Sequence, residues 1–240
     1  MKRFITLLTV AILFSSNPSL AQSPGSKITY GIKAGVNAAY FGLSSEHKKE
    51  MKEDGFTNIP VVSFHLGGYA DYALTEAFSL QAGLLLTGKG SKELWSGEDD
   101  FEDFYYEGSF KENLMYLEIP VNAVYKTGRF YFGAGPYAGY ALSGKWKEKY
   151  EEDYGDGDIE NATESGKIVF SGENAFRKRF DFGVNLLAGY QLSKKLSLGA
   201  NFGLGLLNLY KNEYSNNNEK DYWAIKNRVF SICVGYSFLK

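Results

Sequence analysis

Apolar residues recur at every second position in eight stretches of this chain, and the positions between them hold glycine, small or polar side chains. A period of two predicts strands with unlike faces. The stretches run over residues 28–40, 62–72, 78–87, 115–125, 130–140, 180–190, 196–206 and 229–238. The sixth is the cleanest: Phe180, Phe182, Val184, Leu186, Ala188 and Tyr190 alternate with Asp181, Gly183, Asn185, Leu187 and Gly189. Connections alternate in length. Short turns lie at 74–77, 126–128 and 193–195, and long polar loops are expected at about 42–60, 91–113, 143–177 and 208–226.

An even number of strands with alternating short and long connections predicts an eight-stranded antiparallel up-and-down β-barrel. Such barrels occur both in membranes and in solution. The height of the aromatic residues separates the two. On the apolar face, Tyr30, Tyr72, Phe78, Tyr125, Phe130, Tyr190, Tyr236 and Phe238 fall at the short-turn end. Tyr40, Phe64, Tyr140, Phe180 and Phe230 fall at the long-loop end, with aliphatic residues between. Two aromatic rings bracketing an aliphatic band match the two interfaces of a bilayer. The apolar face is therefore expected to point out into lipid, leaving the small and polar face to fill a narrow lumen.

The start of the chain agrees. Met1-Lys2-Arg3 precedes the apolar run Phe4 to Phe14, and small residues stand at Ser19 and Ala21. This reads as a signal peptide over 1–21, with the barrel domain over 22–240. Eleven apolar residues are too few to span a bilayer as a helix. The implied location is the bacterial outer membrane, with termini and short turns periplasmic and long loops extracellular. Cleavage removes two basic residues and no acidic ones, shifting the net charge from −2 to −4. That balance offers no footprint for nucleic acid. Cys233 is the single cysteine, so no internal disulfide can form.

Three stretches carry a family resemblance. Tyr116-Leu117-Glu118-Ile119-Pro120-Val121, the strand around Gly133-Ala134-Gly135-Pro136-Tyr137, and Arg179-Phe180-Asp181-Phe182-Gly183 with Gly189-Tyr190 resemble PorT-like outer-membrane β-barrel proteins of the Bacteroidetes type. The resemblance covers essentially the whole mature chain. It implies the barrel firmly and the role loosely: the name-giving member is associated with assembly of a secretion system. It brings no catalytic residues.

Motifs for chemistry are few. The glycines of 133–139 lie within continuous alternation, whereas a phosphate-binding loop must end a strand and open a helix. His65 points inward by parity, and His47 lies in the first loop, so neither belongs to a Ser-His-acid set. Two histidines and one cysteine also make a poor transition-metal set, and no cofactor is expected. Asp153, Asp156 and Asp158 miss the spacing of a calcium loop.

Inward charges are more informative. Lys33, Asp71, Lys89, Glu118, Arg179 and Asp181 all face the lumen by parity, Lys33 with Asp71 low and the other four near the upper rim. Burial demands pairing, and a structural plug is expected, with a proton or ion path as the alternative. In the loops, Phe101, Phe104, Tyr105, Tyr106, Tyr210, Tyr214, Tyr222 and Trp223 stand among acidic residues and form a candidate interaction surface. These acidic loops could bridge to neighbouring lipopolysaccharide through divalent cations. The function expected is that of a non-enzymatic, monomeric barrel binding a partner in envelope or secretion assembly. A narrow channel or transporter and a lipid-modifying enzyme are the alternatives. Steady conductance would favour the first of these, and a reactive lipid-facing constellation the second.

Overall fold

The computed structural model describes residues 27–99, 104–153, 159–172, 175–210 and 224–238. Among the described residues ten strands form one sheet: β1 (Ile28–Gly42), β2 (Thr57–Ile59), β3 (Val61–Ala73), β4 (Phe78–Asp99), β5 (Phe104–Thr127), β6 (Phe130–Asp153), β7 (Ile159–Lys167), β8 (Phe180–Gln191), β9 (Leu196–Gly205) and β10 (Lys226–Ser237). Eight of them close a ring in the order β1-β3-β4-β5-β6-β8-β9-β10, every neighbour antiparallel, with β10 returning to β1. The remaining two, β2 and β7, pair only with the upper parts of β4 and β6. One helix, α1 (Ser45–Glu53), stands between β1 and β2, its first turn capped by Ser44, whose hydroxyl accepts from the His47 amide.

The closed ring leaves no sheet edge within the barrel, as a lipid environment requires. Its faces are inverted relative to a water-soluble protein. Val62 is 75% exposed and Phe180 65%, whereas Lys89 is 3% exposed and Asp181 2%. A one-residue slip in any strand would exchange these faces, so the alternation fixes register. The aromatic belts are built from cross-strand partners. Phe78 with Tyr125 and Phe130 with Tyr190 pack at 5.0 Å near the short turns, and Tyr140 with Phe180 at 5.2 Å near the opposite end.

Turn chemistry explains the short connections. The Thr75 hydroxyl accepts from the amides of Ala77 and Phe78, and the Ser193 hydroxyl from those of Lys195 and Leu196. Between β5 and β6, Gly128 takes φ +59°, a conformation that side chains rarely tolerate.

The other end departs from expectation. Residues 91–113 and 143–177 are expected to be loops, yet β4 and β5 continue through most of the first and β6 and β7 hold over half of the second, so that β4, β5 and β6 reach 22, 24 and 24 residues. A tilted strand crosses a bilayer in about 9–11 residues, so roughly a dozen residues of each strand, about 40 Å of chain, rise beyond it. The ladder there is held by backbone hydrogen bonds in water, which need no apolar face, so the sequence pattern that marks the membrane part vanishes while the strands go on. Five strands, in the order β2-β4-β5-β6-β7, make this extension. The expected loop at 42–60 holds α1 and β2 instead.

Candidate functional site: a charged lumen beneath a folded cap

Within the ring, β4, β5 and β8 bring three charges together. Lys89 Nζ lies 2.7 Å from Glu118 Oε2 and 2.9 Å from Asp181 Oδ2. Asp181 Oδ2 also accepts from the Tyr137 hydroxyl at 3.1 Å and from Asn227 Nδ2 at 2.8 Å. Lys89 stands 4.2 Å from the centroid of the Tyr137 ring and 5.1 Å from that of Tyr116. One ammonium thus holds two carboxylates, and two aromatic faces complete its shell. Space for this comes partly from Gly183: a Cβ there would fall 2.6 Å from the Tyr137 ring.

Arg179 is not part of this cluster. Its guanidinium donates to the Ala141 carbonyl at 3.1 Å and lies over the rings of Tyr140 and Phe170. It precedes the first residue of β8, so strand alternation does not hold it inward. Lys33 and Asp71 are also not partners. They sit opposite Gly67 and Thr29 respectively, four positions apart along β1. Asp71 instead pairs with Lys126 at 2.7 Å and accepts from Ser79 at 3.0 Å. Lys33 lines two lumen cavities, of about 120 Å³ at the short-turn mouth and about 40 Å³ beneath Lys89. Above Lys33, His65 Nδ1 meets Asn37 Oδ1 at 2.7 Å, and Asn37 donates to the Gly88 carbonyl.

Over the charged layer sits an apolar cap. Phe41, Leu114, Tyr116, Ala141, Ile168, Leu209 and Ile225 form one buried cluster, joined by Trp146, Phe170, Phe176 and Tyr210. A second ion pair is enclosed in it: Arg177 bonds Glu112 through Nε and Nη2, with the rings of Phe41, Phe176 and Tyr210 around the guanidinium. Beside it, the Glu93 carboxyl is pushed above its ordinary range, first by burial and then by the Glu112 carboxylate, with Arg177 pulling the other way.

The expected aromatic interaction surface divides. Tyr210 is half-buried, packs against the cap and bridges to Arg177. Tyr105 and Tyr106 are 43% and 38% exposed near the tip of the β4–β5 hairpin, on opposite faces of β5. Phe104 opens β5. Phe101, Tyr214, Tyr222 and Trp223 lie outside the described residues, as does the segment 1–21.

Glu112 and Arg177 escape the sequence pattern because both fall in stretches without a lipid-facing alternation. The inward series Glu118, Tyr116, Leu114 continues by parity to Glu112, and that continuation was the available signal. Nothing in the local sequence marks Tyr137 or Asn227 as partners of Asp181.

A family model described as an outer membrane protein beta-barrel domain matches residues 20–211. No curated protein matches the chain. Among solved structures, the chain is similar to Ail, the attachment invasion locus protein of Yersinia pestis, at 11% identity and TM-score 0.38, covering 88% of this chain and 98% of that one. It is also similar to Neisserial surface protein A at 11% identity and TM-score 0.33, covering 87% and 97%. OprG from Pseudomonas aeruginosa aligns at 10% identity and TM-score 0.32, covering 89% and 95%. With the inverted faces, the closed ring and a family match over most of its length, this chain belongs to the outer membrane protein β-barrel domain family and is a protein of the bacterial outer membrane.

Proposed function

We propose that the chain, after loss of residues 1–21, is a non-enzymatic anchor that displays a β-sheet outside the cell for binding a partner of the envelope. The short turns and termini would face the periplasm. The observation that carries this reading is the rise of β4, β5 and β6 to 22–24 residues, about twice what the bilayer needs. So much ordered sheet above the membrane supports work done outside the lumen. The resemblance to PorT-like barrels suggests secretion or envelope assembly as the setting.

The narrow-channel alternative draws on the cavity at the short-turn mouth, lined by Lys33, Tyr69, Asp71 and Lys126. Against it stand the Lys89 cluster and the apolar cap over it, which fill the path above that cavity.

The test compares the full chain with a variant whose hairpins are cut to bilayer length, replacing 92–111 and 146–166 with short turns. Both should show the heat-dependent gel shift of a folded barrel. Partners captured from gently solubilised outer membranes should be retained by the full chain and lost by the cut one. Identical capture by both would overturn the proposal.

A further inference from the structure

The outward face of the extension sorts its charges by height. Phe110 and Trp146 stack at 6.0 Å, and Trp146 packs on the cap. Alternation therefore turns their neighbours Lys111, Lys145 and Lys147 to the outside. Across the strands, Lys92 opposes Lys111, Lys111 opposes Lys147, and Lys145 opposes Lys167. One row further up, Lys149 stands between Ser109 and Thr163. Beyond these rows the sign reverses: Glu107 opposes Glu151, and Tyr105 lies between Glu98 and Asp153.

Like charges directly opposed across strands destabilise a sheet. The carboxylates that could relieve them are present on the same hairpins but gathered elsewhere. Among the described residues none of the six lysines forms an ion pair. A groove of about 780 Å³ is lined by two of them, Lys92 and Lys149, with Ser109 and Thr163 beside them and Glu107 and Glu151 at its carboxylate end. Such a surface suits an elongated anion with hydroxyl groups, its phosphates on the lysines and its sugar rings against serine and threonine.

The position selects the source. This face continues the lipid-facing side of the barrel, so its neighbour is whatever stands beside the protein in the membrane. Tyr140 is the last outward aromatic of β6, and Lys145 follows five residues later, roughly 10–15 Å higher on a tilted strand. We infer that the lysine face binds the phosphorylated inner sugars of neighbouring lipopolysaccharide. The carboxylate rows above repel the same anion and so set its height. This assignment rests on the proposed extracellular orientation of the extension, and it moves lipopolysaccharide contact from the acidic loops to a basic sheet.

The experiment measures binding of the full chain, in uncharged detergent micelles, to rough lipopolysaccharide, to its dephosphorylated form and to a soluble sulfated saccharide. The parent should bind the phosphorylated form at least tenfold more tightly than the dephosphorylated one, with affinity falling as salt rises. The variant with Lys111, Lys145, Lys147 and Lys149 all changed to Gln should lose tenfold or more, and the matching Arg variant should recover it. Both should keep the heat-dependent gel shift, which shows that they fold. Equal binding by the Gln variant, or no preference for phosphate, overturns the inference. Tighter binding of the sulfated saccharide than of lipopolysaccharide overturns it in favour of a soluble polyanion. Orientation is read separately, with a membrane-impermeant maleimide added to intact cells carrying Lys147→Cys: failure to label it would sink the display reading while leaving the micelle result as a test of the lysine face.

Discussion

Lys89 and Asp181 are 92 residues apart and stand on strands with two others between them, yet their charged atoms lie 2.9 Å from each other. The contact crosses the lumen, so it ties strands three steps apart around the ring rather than neighbours on one wall. Glu118 shares the same ammonium. Removing one member of a buried charge cluster leaves the others uncompensated, at about 3–5 kcal/mol. Lys89→Met should therefore lower stability by ~3–5 kcal/mol in urea titrations of the barrel in micelles. Adding Glu118→Gln and Asp181→Asn to it should recover most of the loss. If the single variant unfolds like the parent, the cluster is not what holds the walls together.

The same layer, with the cap above it, stands across the lumen over the two small cavities. Purified parent protein in planar bilayers should show no steady large conductance. Stable openings like those of a general porin would bring the channel alternative to the front.

The Arg177–Glu112 pair ties the segment before β8 to β5. Arg177→Met leaves Glu112 buried without its cation and close to the Glu93 carboxyl, again a loss of about 3–5 kcal/mol. Because the pair lies above the ring, the effect should be local. Hydrogen exchange should quicken over 168–172, 175–178 and 208–210 while the gel shift of the barrel stays. A loss of barrel folding instead would mean that cap and ring form one cooperative unit.

Glu93 gives the cap a pH dependence. Its carboxyl is raised above the ordinary 4.5 by burial and by Glu112. The folded cap thus favours the protonated acid, and the stability this brings is full below the ordinary value and fades as pH rises through the raised one. Cap protection against exchange should be greater near pH 4 than near pH 7. Glu93→Gln should flatten that difference and protect the cap more than the parent near pH 7. An unchanged slope in the variant would assign the effect to another group.

The ring was legible because lipid outside and side chains inside impose opposite demands on alternate residues. Strands such as Phe180–Gln191 carry that contrast at every step. Above the bilayer water stands on the outer face, the contrast ends, and Trp95, Lys111 and Lys147 read as loop residues although they sit in strands. For the site, parity could place Lys89, Glu118 and Asp181 inward, since each lies within a regular strand. It could not say which charges meet, because that depends on strand tilt and stagger. Hence Lys33 and Asp71 looked like partners and Lys126 did not. Arg179, just before its strand, falls outside the rule altogether.

The long strands β4, β5 and β6 are neighbours in the ring, and β8, β9, β10, β1 and β3, of 10–15 residues, occupy the remainder together. Among the described residues the strands of the ring are therefore lopsided about the membrane normal, with a front where the sheet rises and a back where its strands are short. A neighbour arriving at the back meets strands that stop after 10–15 residues, while one arriving at the front meets strands of 22–24. Contacts in a crowded membrane are then directional, so that packing of many copies or docking of a larger complex would orient each barrel about its own axis.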